Sequence, residues 1–365
     1  MSSLPGLKRG YLEVRPPELA ENPATTQAAF DIGHKVGDIA VKIYGQAGGV
    51  YLEYETGLQS LLKQTRNLMG RVERVPIFEA TLEHQGVLVR EDVLLPDGDS
   101  WRVVEVKATT KKKVEHVQDC AIQAWVHQGC GYPLERIALA HIDNQFVYPG
   151  EGDYTGILTE EDLTEPVRDL MPAVAGWVER ARQAVHRSTP DVAVGQHCFT
   201  PYECPFFRHC WPTGSKYPVH GLKGSRKKLG ELVVAGYEDI RDVPPDALST
   251  EDHLRIHRVT MSGRAEVLPA AGEFVRSLAY PRYFLDFETV GPAIPVWAGT
   301  RPYQVVPFQW SCHVEETPGE IRHEEFLDAS GQLPMRRLAE QLIGALGHQG
   351  PVLMYTAYEK GVIRG

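Results

Sequence analysis

The segment LPDGDSWRVVEVK, Leu95 to Lys107, constrains the fold more than any other. Pro, Asp and Gly in its first half mark a tight hairpin turn. The largely apolar run behind them reads as a strand, with Glu105 and Lys107 two positions apart inside it. Side chains alternate across a strand, so these charges share one face while Val104 and Val106 share the other. Taken alone, the triplet reads as an edge strand with a solvated ion pair, an arrangement that adds little stability. The residues around it supply a second reading.

At 365 residues the chain is longer than one compact core usually accommodates, which points to two or three units. Residues 26 to 45 read as a helix. The stretch from Tyr51 to Leu95 reads as a helix giving way to paired strands. After the Glu105 strand, EHVQDCAIQAWVHQGC has the periodicity of a helix that turns Val117, Ala121, Ala124 and Trp125 to a sheet. RIALAHIDNQFVY reads as a further strand pair, and residues 160 to 188 as one long helix. The result is an α+β (α/β) arrangement with a central mixed sheet and flanking helices. Residues 212 to 280 are richer in Pro, Gly and charge and read as a small helical connector. A fresh strand in PRYFLDFETV opens a further domain, so the expected units are 1–211, 212–280 and 281–365.

An apolar content of 42% and a charged content of 24% are ordinary for a soluble globular protein. No apolar run is long enough to span a bilayer and no secretory signal opens the chain, so a cytoplasmic protein without membrane contact is expected. The net charge of -10 argues against a surface that generally coats nucleic acid. Local basic patches remain at Lys111, Lys112 and Lys113, and at Lys223, Arg226, Lys227 and Lys228. The first patch directly follows the Glu105 strand and is positioned to contact phosphates. The second reads as a solvated loop. Three of the six cysteines, Cys198, Cys204 and Cys210, fall within HCFTPYECPFFRHCW. Clustered thiols in a reducing compartment more often bind metal than form disulfides.

Asp92 lies at the end of the strand before the turn, Glu105 lies on the next strand and Lys107 follows, the order D…(D/E)xK. Two carboxylates from neighbouring strands make a hard oxygen site suited to Mg²⁺ or Mn²⁺. Such a site supports phosphodiester hydrolysis, with the lysine positioning water or offsetting charge on phosphorus. His34, in FDIGHKVGD, is a candidate third ligand, and Gln123, on the following helix, a candidate support for the lysine and water.

GHKVGD, FEATLEHQGVLVRED, WRVVEVKAT, QDCAIQAWV, CFTPYECPFFRHCW and YPRYFLDFETVGPAIPVWAGTRPYQVVPFQWS occur in this order. Together they resemble the RecB-type PD-(D/E)xK nucleases, including the CRISPR-adaptation exonucleases with an iron–sulfur cluster. They are more closely similar to a bacterial family of unknown function that fuses such a nuclease to a DEDD-exonuclease-like domain. The resemblance implies a restriction-endonuclease-like core with His34, Asp92 and Glu105 as metal ligands, Lys107 as catalytic residue and Gln123 as its support. Glu79 matches an acidic position of the closer family. It also implies a nucleic-acid partner, DNA favoured. Two departures stand out. The family's Gln is followed four residues later by Tyr, where this chain has His127. The family's first cluster cysteine belongs to an N-terminal segment that here reads LPGLKRGYLEV. With three thiols, the options are Cys120 or Cys130 as a substitute, a zinc site completed by His197 or His209, or an empty site, and a cluster that pins residues 198 to 210 is expected to close the domain rather than to transfer electrons.

Asp286 and Glu288 in YFLDFETV form a second pair on one strand face. They resemble the first acidic motif of DEDD exonucleases, which have a ribonuclease H-like fold, and Glu359 is in place to start the second. The residues after Asp286 leave no room for further acidic motifs. The expectation is therefore an incomplete domain without independent exonuclease activity. Two functions remain open: a metal-dependent nuclease acting through the first site, and a non-catalytic nucleic-acid-binding or assembly protein built on nuclease folds.

Overall fold

A computed structural model describes residues 4–14, 24–46, 48–54, 57–186, 192, 194–199, 204–211, 214–222 and 226–364. In chain order the elements begin with α1 (Leu4–Val14), α2 (Ala24–Tyr44), β1 (Val50–Tyr51), α3 (Leu58–Met69), β2 (Ile77–His84), β3 (Val87–Asp97) and β4 (Ser100–Lys107). They continue with α4 (Val114–Gly129), β5 (Leu134–Ile142), β6 (Leu158–Asp162), α5 (Thr164–His186), α6 (Phe207–Cys210), α7 (Arg226–Val234), α8 (Glu251–Ser262) and α9 (Pro269–Ser277). The last are β7 (Arg282–Val290), β8 (Val306–Thr317), β9 (Glu320–Leu327), α10 (Met335–Ala345), β10 (Val352–Leu353) and α11 (Tyr358–Arg364). The fold is α+β with two mixed sheets. Two compact units form, each from two stretches of chain: Met1–Ala29 with Pro172–Leu268, and Phe30–Met171 with Pro269–Gly365.

The larger unit holds a sheet of order β1-β2-β3-β4-β5-β6. β4 is central in it, antiparallel to β3 and parallel to β5. The edge-strand reading of the Glu105–Lys107 triplet is thus overturned: Trp101, Val103 and Val104 are buried, and apolar surface on both faces needs cover on both. The turn into β4 follows its composition. Asp97 pairs with Ser100, leaving Gly98 and Asp99 as a two-residue loop. Gly98 takes a φ of 59°, in the left-handed region that glycine enters without steric cost.

α2 presents Val36, Ile39 and Ala40 at helical spacing, and they pack with Val93, Val104, Ala138, Ala140 and Ile142 of the sheet. α4 packs on β2, β3 and β5. The face it buries is not the apolar one expected. Ala121 and Ala124 are buried, but Val117 and Trp125 are only half-buried, whereas His116, Cys120, Gln123 and His127 are buried. Polar groups can line this face because the sheet supplies partners for them, as described below.

Two further expectations fail. Only the first half of RIALAHIDNQFVY is a strand. Beyond Ile142 the chain turns, Phe146 joins the core beside Ile142 and Ile157, and Tyr148 stacks on Tyr154 with ring centroids 4.8 Å apart. The returning strand is β6, which pairs Ala138 with Asp162 and Ile142 with Leu158. Residues 160 to 162, expected to be helical, therefore belong to the sheet. The helix starts only at Thr164, whose N–H donates to Asp162 Oδ1 at 2.8 Å. Residues 187 and 188 lie outside the described residues.

The second sheet has the order β10-β7-β8-β9. Tyr283, Leu285, Phe287, Trp310, Cys312 and Val314 meet Leu338 and Leu342 of α10 on its buried face. In the β7–β8 connection, Ala293 packs with Ile142 and Ile157, and Tyr303 donates to the Ala108 carbonyl at 2.8 Å.

In the smaller unit, the stretch expected to be a connector has its own core. Val219, Leu222, Leu229, Leu232, Ile240, Val243 and Leu248 are buried together. Asp239 fixes the turn beside them, accepting from Ser215 Oγ at 2.6 Å and from the Arg241 backbone N–H at 2.8 Å. The basic run expected to be a loop instead opens α7 at Arg226; Lys223 lies outside the described residues.

Candidate active site

The register of the first sheet aligns three carboxylates. Phe78 pairs with Val93 and Ala80 with Glu91, so Glu79 lies opposite Asp92. Val93 pairs with Val104, so Asp92 in turn lies opposite Glu105. Glu79, Asp92 and Glu105 thus form one row across β2, β3 and β4, where neighbouring positions stand about 4.5–5.5 Å apart. The ladder is irregular here. Glu79 has a φ of 61°, a conformation rare for a residue with a side chain. The Val106 N–H donates to Asp92 Oδ2 at 2.7 Å.

Glu105 is 4% exposed and both its oxygens are engaged. Lys107 Nζ lies 2.5 Å from Oε1, and Gln123 Nε2 donates to Oε2 at 2.5 Å. Lys107 also reaches Asp119 Oδ2 at 3.0 Å. The structure therefore brings together Asp92, Glu105, Lys107 and Gln123, with the additional participant Asp119. His34 is exposed on α2, and its link to the row is electrostatic, through Glu79.

The charges in the row do not balance. Burial pushes the Asp92 carboxyl well above the usual range, and repulsion from Glu105 and Glu79 pushes it further, against the pull of the Val106 N–H and Lys107. Burial raises Glu105, with Lys107 opposing and Asp119 adding to the rise. Glu79 is raised by burial, tempered by Arg90 and His34. Burial opposes the charge of Lys107, but Glu105 and Asp119 outweigh it and hold the ammonium protonated. Asp92, Glu105 and Asp119 share Lys107 while Glu79 has Arg90, and a cation would relieve the repulsion on Asp92.

Asp92 and Glu105 have the hard oxygen chemistry that Mg²⁺ or Mn²⁺ requires. Among the described residues, however, no group of three or more His, Cys, Asp or Glu side chains is arranged to hold a metal. The fit is therefore the donor chemistry of the Asp92 and Glu105 pair and not a three-ligand set.

A second polar pair escaped sequence reasoning. Glu91, beside Asp92, and His127, one helical turn beyond Gln123, are both wholly buried and meet at 2.8 Å between Oε1 and Nδ1. The departure from the family's tyrosine at this position thus has a partner on β3. Gln123 Oε1, Glu91 Oε2 and His127 Nε2 are buried without a protein partner, so the interface of α4 with the sheet retains unused hydrogen-bonding capacity. An acidic residue next to Asp92 and a histidine four residues after Gln123 were the available signals.

The basic run after β4 is partly committed. Lys112 Nζ is paired to Glu161 Oε2 at 2.5 Å, and Lys113 precedes α4, its N–H donating to His116 Nδ1 at 3.3 Å. Lys111 is exposed.

Cys198, Cys204 and Cys210 lie in the smaller unit. Cys198 is buried with Phe199 and Phe207, and Cys204 packs against them. The Cys204 N–H donates to the Cys198 carbonyl at 2.7 Å. Lys8 of α1, in the segment where the resemblance calls for a cysteine, donates to the Val192 carbonyl at 2.9 Å. Burial raises the Cys198 and Cys210 thiols, and Lys8 opposes this in both. These residues do not fit a four-thiolate cluster: three thiols are present, Lys8 of the N-terminal segment brings an ammonium group instead of a thiol, and His197 and His209 are exposed. Cys120 is buried in α4, and the Cys130 thiol donates to the Glu83 carbonyl at 3.2 Å, so neither is a ready substitute.

On the second sheet, Asp286 and Glu288 share the exposed face of β7, as their spacing predicts. Glu359 is engaged locally. Its Oε2 accepts from the Thr356 backbone N–H and hydroxyl at 3.2 and 3.1 Å, and its own backbone N–H together with these bonds draws its carboxyl below the ordinary range.

Among the described residues no helix is long and apolar enough to cross a membrane. No curated protein matches the chain. Residues 283–365, which hold the second sheet with its exposed Asp286 and Glu288, match the model of a domain of unknown function, DUF2779.

Proposed function

We propose that the chain is a Mg²⁺- or Mn²⁺-dependent nuclease that hydrolyses phosphodiester bonds of DNA, acting on single strands or ends through the Glu79–Asp92–Glu105 row. The observation that carries this reading is a line of three carboxylates, the innermost buried and the middle one repelled by both neighbours, with one lysine at the end of a central strand. Perturbed carboxylates held in an irregular ladder are the mark of a working site more often than of a scaffold. When bound by Asp92 and Glu105, a hard divalent cation supplies Lewis-acid activation of the phosphate and of water. Lys107 holds its proton and offsets charge developing on phosphorus. Gln123 fixes one oxygen of Glu105 through Nε2 and offers its buried Oε1 to orient the attacking water. In the finer architecture we propose, a restriction-endonuclease-like core carries this site and a ribonuclease H-like sheet follows. Six free cysteines agree with a reducing, cytoplasmic location.

One observation favours a second reading, a non-catalytic nucleic-acid-binding platform. Both oxygens of Glu105 and one of Asp92 already have protein partners. Lys107→Ala separates the two. A nuclease loses cleavage by roughly a hundredfold or more and retains binding of a labelled oligonucleotide. Cleavage that survives this variant, or persists in excess chelator, removes the nuclease reading.

A further inference from the structure

Tyr54 follows β1 and is 71% exposed, an open position for an aromatic ring of this size. The Arg90 guanidinium lies over the ring, 5.2 Å from its centroid. Arg90 is in turn paired to Glu79 Oε2 at 2.9 Å. Glu79 lies opposite Asp92, so direct contacts run from an open aromatic surface to the outer carboxylate of the row. The ion pair with Glu79 holds the guanidinium beside the ring and partly offsets its charge. Arg90 thereby acts as a rigid backing for Tyr54 more than as a clamp for phosphate.

From this geometry we propose that Tyr54, backed by Arg90, is a stacking platform for an unpaired nucleobase, placing the adjoining phosphodiester toward the acidic row. The proposal rests on the nuclease reading and names the substrate class of the same site: single strands or frayed ends. Every base has a flat π face, so the platform reads strandedness and not sequence, and Arg90 enriches it with a cation–π contribution. A base inside a duplex is already stacked on its neighbours and offers no free face.

The test is anisotropy with a fluorescent single-stranded oligonucleotide and the full chain in Ca²⁺, comparing wild type, Tyr54→Ala and Tyr54→Phe. A strand of equal length with abasic sites is the control. Tyr54→Ala is expected to weaken binding roughly 5- to 150-fold on the ordinary strand and to leave the abasic strand unaffected. Tyr54→Phe keeps the π face and is expected to bind like wild type. Equal binding by wild type and Tyr54→Ala, or an equal loss on both strands, overturns the platform. The same proteins in Mg²⁺ separate the two readings. A base-dependent loss in Tyr54→Ala without cleavage by wild type supports the platform and removes the nuclease. Cleavage by wild type with no effect of Tyr54→Ala on binding removes the platform alone.

Discussion

The first sheet and the second each align acidic side chains on neighbouring positions, yet they place them in opposite environments. Asp92 and Glu105 stand opposite each other on central strands, where burial raises both carboxyls and Glu105 repels Asp92. Asp286 and Glu288 share a strand face that is exposed. Register aligns the first pair and period-two spacing the second, but cover decides what each can do. Buried charges that oppose one another store free energy that a cation or a proton can release. Exposed ones are already solvated. Glu359, the acidic residue available to extend the second pair, is held by Thr356 at the start of α11.

This contrast can be broken by neutralising one carboxylate in each sheet. Asp92→Asn retains an oxygen to accept from the Val106 N–H and removes the charge. The folded-state carboxyls of Asp92 and Glu105 lie above their ordinary values of 3.8 and 4.5. A raised carboxyl favours folding below its unfolded value, and that contribution is lost as pH rises through the folded value. Asp92→Asn is therefore expected to unfold like wild type near pH 4 and to exceed it increasingly toward neutral pH, by on the order of 1–3 kcal/mol. Asp286→Asn is expected to change stability by less than about 0.5 kcal/mol throughout. Mn²⁺ should raise the melting temperature of wild type and not of Asp92→Asn. Denaturant titrations across pH check this. A stability gain in Asp286→Asn, or a loss in Asp92→Asn that grows with pH, reverses the contrast.

A smaller effect sharpens the picture beside the first sheet. Lys112 is paired with Glu161, whereas Lys111 is exposed. If strands pass this run, Lys111→Ala should reduce the slope of log affinity against log salt by about 0.7, one phosphate on a single strand. Lys112→Ala should change it less, because its counterion is already within the protein. Equal slopes for wild type and Lys111→Ala would make the run a solvated surface without a role in binding.

Much of this organisation was legible in the residues. The hairpin into β4, the helical face of α2 and the sharing of a face by Glu105 and Lys107 follow from turn chemistry and periodicity, which are local properties. β6 was not legible, because LTEED has neither an apolar run nor strict alternation and pairs with β5 through its backbone. The buried face of α4 was misread for a related reason. Gln123 could be placed toward Lys107, but His116 and His127 look like solvent positions until Glu91 is brought opposite His127, and that pairing is tertiary. The row itself could be expected only in part: Asp92 and Glu105 follow from the hairpin, whereas the place of Glu79 depends on the register of β2 against β3.

The most direct test is cleavage of an end-labelled single-stranded oligonucleotide in Mg²⁺ by wild type, Glu105→Ala and Asp286→Ala, with folding of each verified by circular dichroism. If the first sheet is the catalytic site, wild type and Asp286→Ala cleave alike and Glu105→Ala does not cleave. Cleavage that survives Glu105→Ala and disappears in Asp286→Ala would contradict this and move the chemistry to the second sheet.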